Sequence, residues 1–449
     1  MNSLRDFRAA ARPAHSIRQV AGAAALSLAA LTVANSAPTP ASALASYAVP
    51  ASGNEIAEFY RSRGGAPLWF APASGNAAQQ LLQMLATARA DNLNPNRYHV
   101  RQLAKLVQAA SRGDPRAVQR AEAMLSQEFV TYARDLRHDP HIGIIYVDPE
   151  LKPVPPSART LLNQAATAPS LAGFVGQMAW MSPVYAQLRQ ALASRMYLGE
   201  AQRQQLAVNL ERARALPSGN QRYAVVNPAA QRLYMYENGQ VVDQMRVVAG
   251  RPDPIAQTPM MNAYIRYVAL NPYWNSPADI TARRLAPTIL KEGRAYFKNR
   301  GYELLSDWSD HPRVLDPMSI DWRAVAAGRV QARLRQKPGP ANSMGRMKFM
   351  FPNPQGIWLH DTPEKEVIDE AARLQSNGCV RLQDAPRFAR WLFGHPLKPQ
   401  GARPEQKVPL PNRVPLYITY LTAVPSGNAI VYFEDLYGLD RRAPRYASR

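Results

Sequence analysis

Apolar residues recur at three- and four-residue spacing through the first half of the chain: in Ile56 to Tyr60, Ala77 to Ala88 and Ala117 to Leu136. That period predicts amphipathic helices. Asn92-Leu93-Asn94-Pro95 is a turn or helix-start signal. Residues 138–158 read as a Pro- and Asp-rich loop, and helical spacing resumes over 159–195 and 200–215. No repeat of 20–50 residues is visible.

After Pro217 the pattern shortens. Arg222 to Val226, Arg232 to Tyr236 and Val241 to Val248 are short apolar runs with β-branched and aromatic residues. Asn238-Gly239 separates the last two and predicts a hairpin, because both residues tolerate positive φ. Asn262 to Leu270 reads as another strand. Residues 277–340 read as helical and basic, broken by prolines. Strand-like runs return at Met347 to Phe351, Ile357 to His360, Val414 to Thr422 and Ala429 to Phe433. Between them, Asp384-Ala385-Pro386 opens a helix and Gly394 closes it. The predicted fold is α+β: an all-helical N-terminal domain over 46–216, then a β-rich domain over 217–437 with a helical insertion at 277–345. Residues 438–449 form a tail.

Composition narrows this picture. The chain has 449 residues, 46% hydrophobic and 19% charged, enough for packed cores and unlike a disordered chain. No apolar run reaches the ~18–20 residues of a membrane span, which excludes a multi-pass helical membrane protein. Residues 1–19 carry Arg5, Arg8, Arg12 and Arg18 against Asp6. An apolar run from Val20 to Ala34 follows, then Ala43-Leu44-Ala45. Basic head, short apolar middle and A-x-A end read as an export signal over residues 1–45, cleaved or kept as an anchor. Removing that segment takes the net charge from +21 to +18, so the basicity belongs to the mature chain. No nucleic-acid motif accompanies it, and export argues against a nucleic-acid partner.

Cys379 is the single cysteine. It cannot form an internal disulfide, and a lone thiol in an oxidising compartment is a liability. Residue types alone leave two readings, an inert buried thiol or an activated nucleophile. The neighbourhood is suggestive. His360 closes an apolar run and precedes Cys379 by 19 residues. Gly378 lets a substrate carbonyl approach the backbone, where N–H groups can form an oxyanion hole. Arg381 can bind a carboxylate. His138, Asp139 and His141 have weak metal-ligand spacing and read as solvated loop residues. His99, His311 and His395 have no partner pattern.

The run Gly356-Ile357-Trp358-Leu359-His360-Asp361-Thr362-Pro363, followed by Ser376-Asn377-Gly378-Cys379-Val380-Arg381-Leu382, resembles the catalytic motif of the L,D-transpeptidase (YkuD-type) family. Asn271-Pro272-Tyr273-Trp274-Asn275, Gly250-Arg251-Pro252, Gln257-Thr258-Pro259 and Gly339-Pro340 through Lys348-Phe349-Met350-Phe351-Pro352 extend the likeness. Phe59-Tyr60 to Leu68-Trp69 and Tyr132-Ala133-Arg134-Asp135 look like the family's helical scaffold. The resemblance spans residues 53–437 and is nearest the long, YcbB-like Gram-negative class. Two departures stand out. The stretch from Met196 to Leu216 has no room for the peptidoglycan-binding module of many long members, and Asn377 stands where short members have His.

The resemblance implies a peptidoglycan L,D-transpeptidase of the periplasm, active in cell-wall biogenesis and cell shape. Cys379 is then the nucleophile and His360 the general base and acid. Gly378 supplies oxyanion-hole backbone, and the carbonyl of Asp361 orients the imidazole. Arg381, Ser376, Asn377, Tyr273 and Trp274 contact substrate. The substrates are tetrapeptide stems, donor and acceptor, joined by 3→3 diaminopimelate cross-links through a thioester with loss of D-Ala. The family uses no metal and no organic cofactor; carbapenems acylate its cysteine. A monomer is expected, with other cell-wall enzymes as further partners. The inserted basic stretch, including Arg283, Arg284, Lys291, Arg294, Lys298 and Arg300, resembles the family's lid; its other reading is a solvated face. An L,D-carboxypeptidase or endopeptidase using the same pair, and a non-catalytic wall-binding protein, are the alternatives.

Overall fold

The structure is a computed structural model that describes residues 51–444. The export signal read in residues 1–45 lies outside them. Eight helices come first: α1 (Ala51–Ser62), α2 (Ala77–Ala86), α3 (Val100–Ala110), α4 (Pro115–Leu136), α5 (Ala158–Thr167), α6 (Leu171–Gly176), α7 (Pro183–Ala193) and α8 (Glu200–Ala213). Their starts are written in the sequence. Side chains of Asp114, Ser157, Ser170 and Ser182 accept N–H groups of the first turns of α4 to α7, with Pro115 and Pro183 where no N–H is needed. The caps at Ser170 and Ser182 divide 159–195, read as helical spacing, into three helices. Trp69, Phe129 and Trp180 pack edge to face at the centre, Phe129 lying 5.7 and 5.0 Å from the two indoles. The Glu122 carboxylate on α4 accepts the N–H groups of Leu68, Trp69 and Phe70, so an otherwise irregular loop is anchored.

The helical region is not free of strand. Within 138–158, read as loop, β1 (Ile145–Tyr146) pairs in parallel with β5 (Met261–Leu270). The other strands of the sheet that β1 and β5 belong to are β2 (Tyr223–Asn227), β3 (Arg232–Glu237), β4 (Gln240–Gly250), β10 (Met347–Met350), β11 (Leu359–His360), β12 (Leu374–Ser376), β13 (Val380–Leu382) and β14 (Gln406–Ile418). Strand order runs β5-β10-β11-β13-β4-β3-β2-β14, and β14 pairs back onto β5, closing an eight-stranded barrel. Closure leaves no edge along this ring. The β3–β4 hairpin turns at Asn238 and Gly239, both with positive φ. Inward residues of alternate register, among them Val226, Leu233, Val247, Ile265, Val268, Phe349, Leu359 and Leu416, fill the interior.

Between β5 and β10 the chain builds an inserted unit. It holds β6 (Trp274–Asn275), α9 (Ala278–Ile280), α10 (Ala286–Glu292), α11 (Arg294–Arg300), β7 (Tyr302–Leu305), β8 (Val314–Leu315), α12 (Trp322–Ala326) and β9 (Arg333–Gln336). The expectation of a helical insertion is corrected here: helices pack on a four-stranded sheet ordered β6-β9-β7-β8. Arg333-Leu334-Arg335-Gln336 alternates half-buried and buried positions, a strand signal that its charge obscured. The unit has its own core around Leu285, Ile289, Phe297, Leu304, Trp322 and Leu334.

Helices and barrel share one core, in which Tyr223, Val225, Tyr236 and Tyr417 of the barrel wall join the helical cluster. Helix α8 is buried from Leu206 to Ala213. Helix α13 (Ala385–Phe393) lies between β13 and β14; after the barrel come the hairpin β15 (Ala423–Ser426) and β16 (Ala429–Tyr432), and α14 (Leu439–Arg442). Residues 439–442, assigned to a tail, are tied in: Asp440 accepts from Arg212 of α8 and from Thr422, each at 2.5 Å. No helix among the described residues is long and apolar enough to cross a membrane.

Candidate active site

Three neighbouring barrel strands set out the site by register alone. Lys348 on β10 pairs with His360 on β11, and His360 pairs with Arg381 on β13. Paired residues share a face of a sheet, and successive residues alternate faces. Phe349, Leu359, Val380 and Leu382 therefore turn into the barrel core. Lys348, Trp358, His360, Cys379 and Arg381 all turn the other way and line one cleft of about 800 Å³. The inserted unit forms its facing wall, with Arg284, Thr288, Tyr296, Arg300 and Tyr302.

His360 is 3% exposed, and its Nδ1 lies 2.5 Å from the carbonyl oxygen of Asp361. A carbonyl only accepts, so the ring proton sits on Nδ1 and Nε2 keeps its lone pair. The Asp361 carboxylate is occupied elsewhere, by the Arg346 N–H at 3.0 Å and the Lys365 ammonium at 2.6 Å. Burial pushes the imidazole down to about 3, helped by the positive charges of Arg381 and Lys348 on either side. The ring is thus neutral at ordinary pH. Burial also raises the Cys379 thiol, opposed by a backbone hydrogen bond at Trp358 and by the same two cations. The thiol donates to the Gly356 carbonyl at 3.7 Å.

The turn carrying Cys379 is held from beneath. Thr258 Oγ1 accepts the Gly250 N–H at 2.9 Å and donates to the Gly378 carbonyl at 2.8 Å. Tyr437 donates its hydroxyl to the Gly250 carbonyl at 2.6 Å. A Cβ on Gly250 would lie 2.0 Å from the Ala256 carbonyl oxygen, so this crossing requires glycine. Gly378 has φ +109°, and a Cβ there would meet Ile357 at 2.8 Å.

Of the residues singled out in the sequence, Cys379, His360, Arg381, Ser376, Asn377 and Trp274 line the cleft together. Two assignments are corrected. The Gly378 N–H is not free for an oxyanion, because it donates to Ser376 Oγ at 3.1 Å, while that hydroxyl donates to the Cys379 carbonyl at 2.5 Å. Ser376 therefore shapes the turn. Tyr273 lies outside the cleft lining; its ring sits 4.3 Å beneath the Arg335 guanidinium. Trp274 does line the cleft and packs on Tyr302. Arg381 donates to Glu364 at 2.7 Å. Lys348, Trp358, Gly356 and Thr258 were not assigned as site residues. A strand pattern from 347 to 351 carries the one local signal for Lys348, a polar residue between buried Met347 and Phe349. Among the described residues no group of three or more His, Cys, Asp or Glu has the arrangement to hold a metal ion.

Comparison with known proteins fits this architecture. Residues 54–192 match the scaffold-domain family and residues 221–399 the L,D-transpeptidase (YkuD) catalytic domain. A putative L,D-transpeptidase of Haemophilus influenzae is 26% identical over 400 residues, covering 86% of this chain and 78% of the relative. A solved L,D-transpeptidase from Mycobacterium smegmatis aligns at 13% identity with a TM-score of 0.22, over 45% of this chain and 63% of that one. The chain thus spans less than two thirds of that structure, a likeness too partial to add to the fold. The chain is thus similar to a scaffold domain over its helical half and to an L,D-transpeptidase catalytic domain over its barrel.

Proposed function

We propose that the protein is a peptidoglycan L,D-transpeptidase that makes 3→3 diaminopimelate cross-links, with Cys379 as nucleophile and His360 as the base. The observation that carries this reading is the imidazole itself: neutral, proton fixed on Nδ1 by the Asp361 carbonyl, and lining the same cleft as the chain's single thiol. Such a ring accepts a proton at Nε2 and does not offer one at rest.

The Cys379 thiol reorients from the Gly356 carbonyl, passes its proton to His360 Nε2, and sulfur bonds to the carbonyl carbon of the donor's diaminopimelate. The charge on the carbonyl oxygen falls to the Cys379 N–H, since the Gly378 N–H is engaged. The C–N bond to D-Ala breaks and the leaving amine takes the proton from His360, leaving a thioester. The acceptor's side-chain amine then attacks the thioester carbon, gives a proton to His360, and the thiolate leaves and is reprotonated. The inserted unit walls the cleft, which favours amine over water.

The class follows the same lines. Only residues 194–199 separate α7 from α8, which supports a long Gram-negative type without the inserted wall-binding module. Residues 1–45 support export to the periplasm, with tetrapeptide stems as partners of a monomer. Carbapenems are expected to add once per chain, at Cys379.

The test is incubation of purified protein with disaccharide-tetrapeptide, read by mass spectrometry beside Cys379→Ala. Cysteine-dependent dimers lacking one D-Ala are expected. Tripeptide monomers alone would move the reading to a carboxypeptidase, and no product from either form would favour a wall-binding protein.

A further inference from the structure

Lys348 bears on His360 and Cys379 through its charge but takes part in no step of the chemistry above. It sits directly across from His360 in the β10–β11 pair, and its ammonium lies 4.3 Å from the centre of the Trp358 ring. It lines the cleft with Cys379. An ammonium has three donors and no acceptor. Among the described residues none accepts a hydrogen bond from it, and no carboxylate forms an ion pair with it; Glu405 and the Cys379 sulfur act on it only through their charge. Arg381, the cation on the other flank of His360, differs: it is paired with Glu364 at 2.7 Å. Burying an unpaired charge is costly. Burial accordingly pulls the Lys348 ammonium below its usual value, a cost that an anion beside it would relieve.

We propose that Lys348 is a carboxylate-anchoring residue of the donor site, holding an anionic group of the substrate over the Trp358 face beside the Cys379 sulfur. Resting on the transpeptidase reading, the group is the terminal carboxylate of the leaving residue. It lies a few bonds from the carbon that sulfur attacks and is the one carboxylate that every exo-acting donor must carry. The anchor then restricts acylation to stems with a free C-terminus. Arg381 and Lys365 are already occupied by Glu364 and Asp361; Arg284 and Arg300 stand on the facing wall, and Lys348 is the cation without an ion pair on the nucleophile's own side of the cleft.

The single cysteine makes a direct test available, because every thiol alkylation reports on Cys379. Iodoacetate and iodoacetamide differ only in charge, and their rate ratio cancels the fraction of thiolate. In the folded protein the iodoacetate-to-iodoacetamide ratio is expected to exceed that of the denatured chain about tenfold. Lys348→Met is expected to lose this preference and Lys348→Arg to keep it. A folded wild-type ratio equal to the denatured one overturns the proposal without any variant, as does an unchanged ratio in folded Lys348→Met. A second arm compares tetrapeptide donors ending in a carboxylate and a carboxamide. Wild type is expected to acylate from the carboxylate at least about tenfold faster, with Lys348→Met reducing that preference to about twofold or less. Equal preference in both proteins overturns the substrate assignment. Failure of both donors to acylate Cys379 overturns the transpeptidase reading, while the alkylation ratio still decides whether Lys348 binds anions.

Discussion

Two buried polar clusters, one among the helices and one in the cleft, treat charge in opposite ways. In the scaffold, Asp91 is wholly buried, yet its carboxylate accepts from Tyr132 at 2.7 Å, Tyr185 at 2.8 Å and Arg189 at 3.2 Å. Arg189 also donates to Met84 and Thr87, and Arg214 holds Glu211 bidentately while reaching the Asp91 carbonyl. Every charge has its partners. In the cleft, Lys348 has no acceptor among the described residues, the His360 ring is bonded at Nδ1 alone among them, and the thiol meets only backbone groups, at Gly356 and Trp358. Both clusters cost desolvation, but only the first recovers it internally. A saturated network fixes a structure, and an unsaturated one waits for a ligand.

Variants can break that contrast. The largest expected effect is on chemistry. His360→Gln is expected to slow acylation about 10²–10⁴-fold while leaving the unfolding midpoint in denaturant near wild type at neutral pH. A large loss of stability there would make His360 a structural residue. Asp91→Asn should do the reverse. It leaves Arg189 an unpaired buried charge, and about 3–5 kcal/mol of unfolding free energy should go, with the alkylation ratio at Cys379 unchanged in the protein that remains folded. Thr258→Val lies between the two. It strips the acceptor from the buried Gly250 N–H and releases the Cys379 turn, so about 1–3 kcal/mol of stability and part of the acylation rate should fall together.

A pH scan sharpens the same comparison. The folded imidazole resists protonation down to about 3, whereas an unfolded one titrates near 6.5. Between those values the unfolded state binds the extra proton. Stability is therefore full above about 6.5 and lost as pH falls toward 3. Wild type should show this acid slope and His360→Gln should lack that component, read by urea unfolding at stepped pH. The smallest effect belongs to Lys365→Met. Its ammonium is half exposed and the Asp361 carboxylate keeps the Arg346 N–H, so less than about 1 kcal/mol should change.

Local features of the fold were legible before the structure. The Asn238-Gly239 turn and the Asp384-to-Gly394 helix each depend on a few consecutive residues, and each formed where those residues stand. The inserted sheet was not legible. Its strands are two to four residues long, and β9 carries two arginines whose stems pack while their charges mask the alternation. Strand β1 is two residues held by a partner more than a hundred positions away. The cleft divides in the same way. Cys379, His360 and Asp361 stand in a compact motif. Lys348 enters only through cross-strand register, Thr258 only through a bridge between two distant turns, and the engaged N–H of Gly378 only through the rotamer of Ser376.

The central claim is that the neutral His360 and the lone Cys379 carry acyl transfer. Its most direct test is intact-mass and peptide mapping of the protein quenched during turnover with a tetrapeptide donor, beside His360→Gln. One adduct is expected, the donor less its terminal D-Ala, on the peptide containing Cys379, and none on His360→Gln over the same time. An adduct on another residue, or one formed equally fast without the imidazole, would contradict it.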